Sequence, residues 1–154
     1  MQTIVAFNVN GIRPTPQGSK RHVGNGRMIE QAGAALKVYR RAIVLASAPH
    51  RPQTPLCGPV HVRLVIQMPR PGSHFGSGKN AGVLKPSAPQ WVDAYPLKRG
   101  DVDKLERATL DALTMGRIYH DDSQVTDLHT SLLFAAPGVS YSVSIRVAPV
   151  ATDL

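Results

Sequence analysis

The most regular pattern along the chain lies in residues 59–68, PVHVRLVIQM, where Val60, Val62, Leu64, Ile66 and Met68 alternate with His61, Arg63, Val65 and Gln67. A period of two sends alternate side chains to opposite faces, so this segment predicts a strand with one strongly buried face. Residues 139–147, VSYSVSIRV, repeat the pattern with Val139, Tyr141, Val143, Ile145 and Val147. A further strand is expected from about Gln124 to Phe134, and Pro137-Gly138 supplies a turn between the two. Together they predict an antiparallel pair with a short connection. Near the start, TIVAFNV (residues 3–9) reads as a short strand rich in β-branched residues.

Two segments carry the helical period instead. Across residues 32–48 the apolar positions Ala35, Val38, Ala42 and Leu45 recur at helical spacing, with Lys37, Arg40 and Arg41 elsewhere on the wheel, and Pro49 and Pro52 end the run. Across residues 103–115 the expected stripe is Val102, Leu105, Thr109, Ala112 and Leu113, with Gly116 as the stop. Two stretches show neither period. Residues 11–27 hold prolines, glycines and cations, which predicts an exposed basic loop. Residues 69–100 carry prolines at 69, 71, 86, 89 and 96, glycines at 72, 76, 78, 82 and 100, and the cations Arg70, Lys79, Lys85, Lys98 and Arg99. That tract fits a backbone-contacting surface that orders on binding and equally a surface excursion. The order β-α-β-α-β-β predicts an α+β single domain with a small mixed or antiparallel sheet and two main helices, over residues 1–150, and a frayed tail at 151–154.

Composition narrows the classes. At 154 residues and 42% hydrophobic the chain has one domain's worth of core, and with aromatics at 5% that core must be aliphatic. No apolar run approaches the ~18 residues of a membrane span, and the opening MQTIVAFNVNG lacks the charge and length of a signal peptide. Cys57 is alone, which excludes an intrachain disulfide and suits a reducing, cytoplasmic setting. Charge changes the picture most. The formal net charge of +8 suggests a polyanionic partner. Yet Asp101, Asp103, Glu106, Asp111, Asp121, Asp122 and Asp127 crowd residues 101–127, against Lys104, Arg107 and Arg117, so that stretch sums to −4 and the remainder to +12. An acidic patch repels phosphate unless a divalent cation sits between them.

The candidate chemistry therefore rests on Asp101, Asp103, Asp121 and Asp122, all at the ends of expected elements. Hard carboxylate oxygens suit Mg²⁺, which keeps several waters and needs few protein ligands. Each pair also has a structural reading: Asp103-x-x-Glu106 fits a capping box, and Asp121-Asp122 fits a turn. The six histidines show no ligand spacing, His120 adjoins Asp121, and no phosphate-binding glycine motif is present. Trp91 and Tyr95 fit either base stacking or packing of the long loop.

Residues 98–128, KRGDVDKLERATLDALTMGRIYHDDSQVTDL, carry a resemblance. Asp101 and Asp103, then Asp111-Ala112-Leu113, then Asp121-Asp122 followed by Gln124-Val125 occur in the order and spacing of the RusA family of Holliday junction resolvases, and the close match covers about a fifth of the chain. The resemblance implies a homodimer that binds four-way DNA junctions and cuts them by paired symmetric nicks with Mg²⁺, Mn²⁺ being a possible substitute, during recombination, repair or phage DNA processing in a bacterial cell. It implies Asp101, Asp103 and Asp122 as catalytic metal carboxylates, with Asp121 in the same pocket. Arg107 stands where the family has a catalytic Lys, and Lys104 where it has Asn. From that departure follows the alternative of a branched-DNA-binding protein with impaired cleavage. A third, non-nucleic-acid reading is a fold held together by Ca²⁺ or Mg²⁺. Arg13, Lys20, Arg21, Lys98, Arg99 and Lys104 are the expected DNA contacts. The alternating strand at 139–147 is the expected contributor to a dimer.

Overall fold

The computed structural model describes residues 3–18, 20–30, 33–89 and 102–151. Its main sheet has four strands: β1 (Val5–Asn10), β4 (Val60–Met68), β5 (Val125–Phe134) and β6 (Ser142–Pro149). β2 (Lys20–His22) and β3 (Met28–Glu30) form a separate antiparallel pair, and the helices are α1 (Gly33–Ser47) and α2 (Val102–Met115). The fold is α+β with a mixed sheet, in a single domain.

β4 behaves as its alternation requires: Val60, Val62, Leu64, Ile66 and Met68 are all buried. On the same face β1 contributes Val5, Phe7 and Val9, and β6 contributes Val143, Ile145 and Val147. Both helices lie against this one face. Leu36, Tyr39 and Ile43 from α1 and Leu105, Ala108, Ala112 and Leu113 from α2 complete a single core. At ~1.5–3 kcal/mol per buried aliphatic side chain, this layer dominates the fold's stability. A polar link sits inside it. Tyr39 Oη lies 2.8 Å from Thr109 Oγ1, which itself donates to the Leu105 carbonyl at 2.9 Å, leaving Tyr39 as the donor to Thr109. Burial pushes the Tyr39 phenol up to about 12, so it keeps that proton.

Strand order corrects the expected pairing. The sheet runs β1-β6-β4-β5. β6 is antiparallel to both β1 and β4, whereas β5 pairs with β4 in parallel. β5 and β6 are therefore not a hairpin, because β4 lies between them. The chain from β4 through α2 to β5 makes a crossover, which is what parallel pairing needs. Residues 135–141 then step across the end of β4, a span of roughly 10 Å for two strand spacings. With both of its edges hydrogen-bonded inside the sheet, β6 has no edge left for a second copy. Any contribution of residues 139–147 to a dimer would therefore have to come through a face of the sheet, not through edge pairing of β6.

Two further expectations change. The loop expected over residues 11–27 holds β2 and the turn of the β2–β3 hairpin, closed at Gly24-Asn25-Gly26, where all three residues have positive φ, and β3 follows directly. The apolar stripe expected on α1 points the wrong way. Val38 and Leu45 are 56% and 61% exposed, and the buried face is Leu36, Tyr39, Ile43 and Ser47. Both stripes have helical spacing; the one with the larger side chains wins the core. On α2 only Val102 departs from expectation, being exposed.

The end of α2 also differs in mechanism. Ile118 N–H bonds the Leu113 carbonyl and Arg117 N–H the Thr114 carbonyl, the paired bonds of a Schellman ending. The left-handed residue is Arg117, φ 57°, not Gly116. Gly116 is needed for a different reason: a Cβ there would stand 2.9 Å from Ser47 Oγ, at the end of α1. Gly116→Ala is expected to cost about 1–3 kcal/mol through overpacking between the helix ends. Urea unfolding should show a lower midpoint at unchanged slope.

Candidate active site

Asp103 lies in the first turn of α2, exposed, where the positive end of the helix dipole favours a carboxylate. It has no hydrogen-bond or ion-pair partner among the described residues. Because the helix already begins at Val102, Asp103 is not its cap, and the capping box expected at Asp103-x-x-Glu106 is not formed. The basic loop runs along this helix. Gln17 N–H donates to the Lys104 carbonyl at 3.1 Å. One turn beyond Asp103, the guanidinium of Arg107 lies over Gly18, so close that a Cβ on Gly18 would stand 2.8 Å from Arg107 Nη1. Gly18 therefore admits the arginine head.

Asp111, the middle aspartate of the pattern, is occupied structurally. Its Oδ2 accepts from Gln17 Nε2 at 2.7 Å and from Arg40 Nη2 at 3.1 Å, and Arg40 Nη2 also donates to Gln17 Oε1. α1, the basic loop and α2 are thus tied at one carboxylate.

After α2 the chain turns back. Leu56 N–H bonds the Ile118 carbonyl at 2.9 Å, and the buried Tyr119 donates its hydroxyl to the Leu110 carbonyl at 2.9 Å. Burial raises the Tyr119 phenol, and the negative fields of Asp122, Asp111 and Asp121 raise it further, so it remains a donor. The next residues make a short 3-10 turn, Asp122–Gln124, that lies against α2. Here the capping box does form. Asp121 Oδ1 accepts from Ser123 N–H at 2.8 Å, while Gln124 Oε1 accepts from the N–H groups of His120 and Asp121 at 2.8 and 3.1 Å. Gln124 Nε2 donates to the carbonyls of Leu56 and Gly58 at 2.9 and 2.8 Å. One amide side chain thus fastens the acidic turn to the segment that leads into β4.

Asp121 and Asp122 are both exposed. The Asp121 carboxyl is held below its ordinary value by the hydrogen bonds from Ser123, so it stays ionised. His120 is turned toward Cys57, with Nε2 3.7 Å from Sγ. Of the other expected residues, Arg13 is exposed in the basic loop and Arg21 is exposed on β2. Asp101, Lys98, Arg99, Trp91, Tyr95 and the side chain of Lys20 lie outside the described residues.

Among the described residues, no three His, Cys, Asp or Glu side chains converge as a metal cluster. The donor chemistry still suits Mg²⁺. Asp103 and Asp122 offer exposed carboxylate oxygens, and Asp121 keeps Oδ2 free of its cap bond. An ion that retains most of its waters asks for one or two carboxylates plus substrate phosphate. Sequence reasoning missed the parts played by Gln17, Arg40 and Gln124. For Gln124 a signal existed, since Asp121-x-x-Gln124 is itself a capping-box pattern.

Two outcomes are expected from this geometry. Gln124→Ala leaves two carbonyls and two N–H groups without their partner and should lower stability by about 1–3 kcal/mol, with amide exchange at residues 120–124 rising more than at α1. Asp121 has a folded pKa below its ordinary 3.8. The stability it adds is therefore present above that value and is lost as pH falls through the lower folded one. Asp121→Asn should be less stable than wild type near neutrality, with the gap closing below that pH in acid unfolding followed by circular dichroism.

The chain is 31% identical over 137 residues to the uncharacterized protein YqaN of Bacillus subtilis (strain 168), covering 85% of this chain and 88% of that one. The family model for endodeoxyribonuclease RusA matches residues 11–146, which take in the basic loop, both helices, β4, β5 and most of β6, while β1 lies ahead of the match. With Asp103, Asp111, Asp121, Asp122 and Gln124 of the motif carried by α2 and the turn that follows it, this chain belongs to the RusA endodeoxyribonuclease family.

Proposed function

We propose that the chain is a Mg²⁺-dependent, structure-selective endonuclease that resolves four-way DNA junctions by paired symmetric nicks. The family match carries this reading, and the path of the chain after α2 supports it. From Ile118, bonded to Leu113, four residues lead to Asp122. The acidic turn lies against α2, the helix that carries Asp103, and Tyr119 just before it bonds the Leu110 carbonyl of that helix. In this reading Asp103 and Asp122 hold the ion, joined by Asp101 from the segment just ahead of α2, with Asp121 beside them. Mn²⁺ substitutes for Mg²⁺.

Bound there, the ion supplies a Lewis acid for the scissile phosphate and lowers the pKa of an attacking water. The residues of the chain do the rest. Lys104 and Arg107 neutralise the phosphate, and Arg13, Lys20, Arg21, Lys98 and Arg99 contact the backbone of the junction arms. Paired nicks on a two-fold symmetric substrate call for two copies of the site, hence a homodimer. The work fits recombination, repair or phage DNA processing in a bacterial cytoplasm.

A second reading is favoured by Arg107 alone. An arginine stays protonated at working pH, so it cannot deliver a proton as a lysine can, and here its head is packed over Gly18. On that reading the protein binds branched DNA and cuts it poorly.

Cleavage of a labelled four-way junction and of a matched linear duplex, with Mg²⁺ and with EDTA, separates the two. Symmetric Mg²⁺-dependent nicks on the junction alone are expected, reduced at least a hundredfold by Asp103→Asn or Asp122→Asn. Tight junction binding without nicks would assign the impaired form. Arg107→Lys is then expected to restore cutting.

A further inference from the structure

The side of the sheet away from the helices is not covered by any described element. On it, β4 presents Arg63 and β6 presents Arg146, both exposed and directly opposite each other in the antiparallel ladder. Their neighbours in the same row are Ala6 on β1 and His129 on β5. Like charges placed opposite on adjacent strands are destabilising, and neither arginine has an ion-pair or hydrogen-bond partner among the described residues. Asp127 on β5 lies opposite His61, one position along, and lines the same depression as both arginines, yet it forms no salt bridge with either. The two guanidiniums form a ridge between two shallow depressions. One is lined by Asn8, Val65 and Ser144, the other by His61, Asp127 and His129. Around them stand Ala6, Asn8, His129 and Ser144, with Val65 beside Arg63 and Ile4, 47% exposed, two residues ahead of Ala6.

We propose that this face is a second phosphodiester-binding surface, on which Arg63 and Arg146 contact the backbone of a duplex arm of DNA. It lies on the opposite side of the sheet from α2 and the acidic turn, so it is separate from the proposed cutting site. Charge decides the occupant. A second copy docked symmetrically would bring four guanidiniums toward one another, whereas a phosphate backbone supplies the anions the ridge lacks. Arginine binds phosphate through a planar fork, and Asn8 and Ser144 add neutral donors within the same depression. The inference draws on the DNA-acting reading only for the identity of the polyanion.

The test is binding of a short linear duplex in EDTA, so that a failure to cut junctions leaves it unaffected. Affinity is measured against salt for wild type, for Arg63→Gln/Arg146→Gln, and for Arg63→Lys/Arg146→Lys. The glutamine pair should bind about tenfold more weakly at moderate salt, and the slope of log affinity against log salt should flatten by about 2. The lysine pair should keep the wild-type slope. Melting of the glutamine pair without DNA should be unchanged or higher at low salt. Asn8→Asp, which adds a carboxylate to the same face and leaves both arginines in place, should also weaken binding and serves if the glutamine pair does not fold. Wild-type affinity and slope in both the glutamine pair and Asn8→Asp would overturn the proposal. So would a wild-type dimer that becomes a monomer in the glutamine pair by light scattering, since the face would then belong to a second copy.

Discussion

Everything this chain positions depends on one strand with two unlike faces. Val60, Val62, Leu64, Ile66 and Met68 of β4 are buried against the helices, and their burial is what seats α2 with Asp103 at its exposed first turn. The same strand pairs in parallel with β5, so the residues just before β5, which are the acidic turn, are drawn to the start of β4. Its opposite face carries Arg63 into register with Arg146. A one-residue slip of β4 would exchange these faces and undo all three arrangements at once. Hydrophobic burial therefore sets the geometry on which the polar chemistry rests.

Polar contacts then fix what burial leaves free. An aliphatic layer holds a helix against a sheet but tolerates sliding, and directional bonds do not. Asp111 ties α2 to Arg40 of α1 and Gln17 of the basic loop. With side chains 23% and 35% exposed, that ion pair adds little net stability. Its value is register, since it aligns the basic loop with the helix face that bears Lys104 and Arg107. After α2, Gln124 ties the acidic turn to Leu56 and Gly58. The carboxylates are thus left exposed on a backbone that is itself anchored, as the proposed ion site requires.

Local periodicity made most of this fold legible. Alternation found β4 and β6, a β-branched run found β1, and helical spacing found α1 and α2, because each pattern is written within one element. Partnership was not legible: β5 and β6 are separated by a turn-like Pro137-Gly138, yet β4 comes between them, and nothing within either strand encodes that. The face of α1 was misjudged because Val38 and Leu45 repeat as regularly as Leu36 and Ile43, and only the bulk of Tyr39 and its bond to Thr109 decide between them. For the site, the motif named Asp103, Asp121 and Asp122 but not what holds them. Asp111 matched the same motif and proved to be a tether, because a carboxylate within reach of Arg40 and Gln17 is satisfied by them. Charge counting located the acidic stretch but overlooked the paired arginines, whose adjacency exists only once β4 and β6 are in register.

The central claim is that the first turn of α2 and the acidic turn form one ion-binding site. Titration of ¹⁵N-labelled protein with Mn²⁺ tests it most directly, since the ion broadens amide signals only in its neighbourhood. The account predicts that the amides of residues 103–106 and 121–123 broaden together at the lowest Mn²⁺ additions and recover together when excess Mg²⁺ is added, while those of Arg63 and Arg146 stay sharp. Broadening of one segment without the other, or of neither, would contradict it.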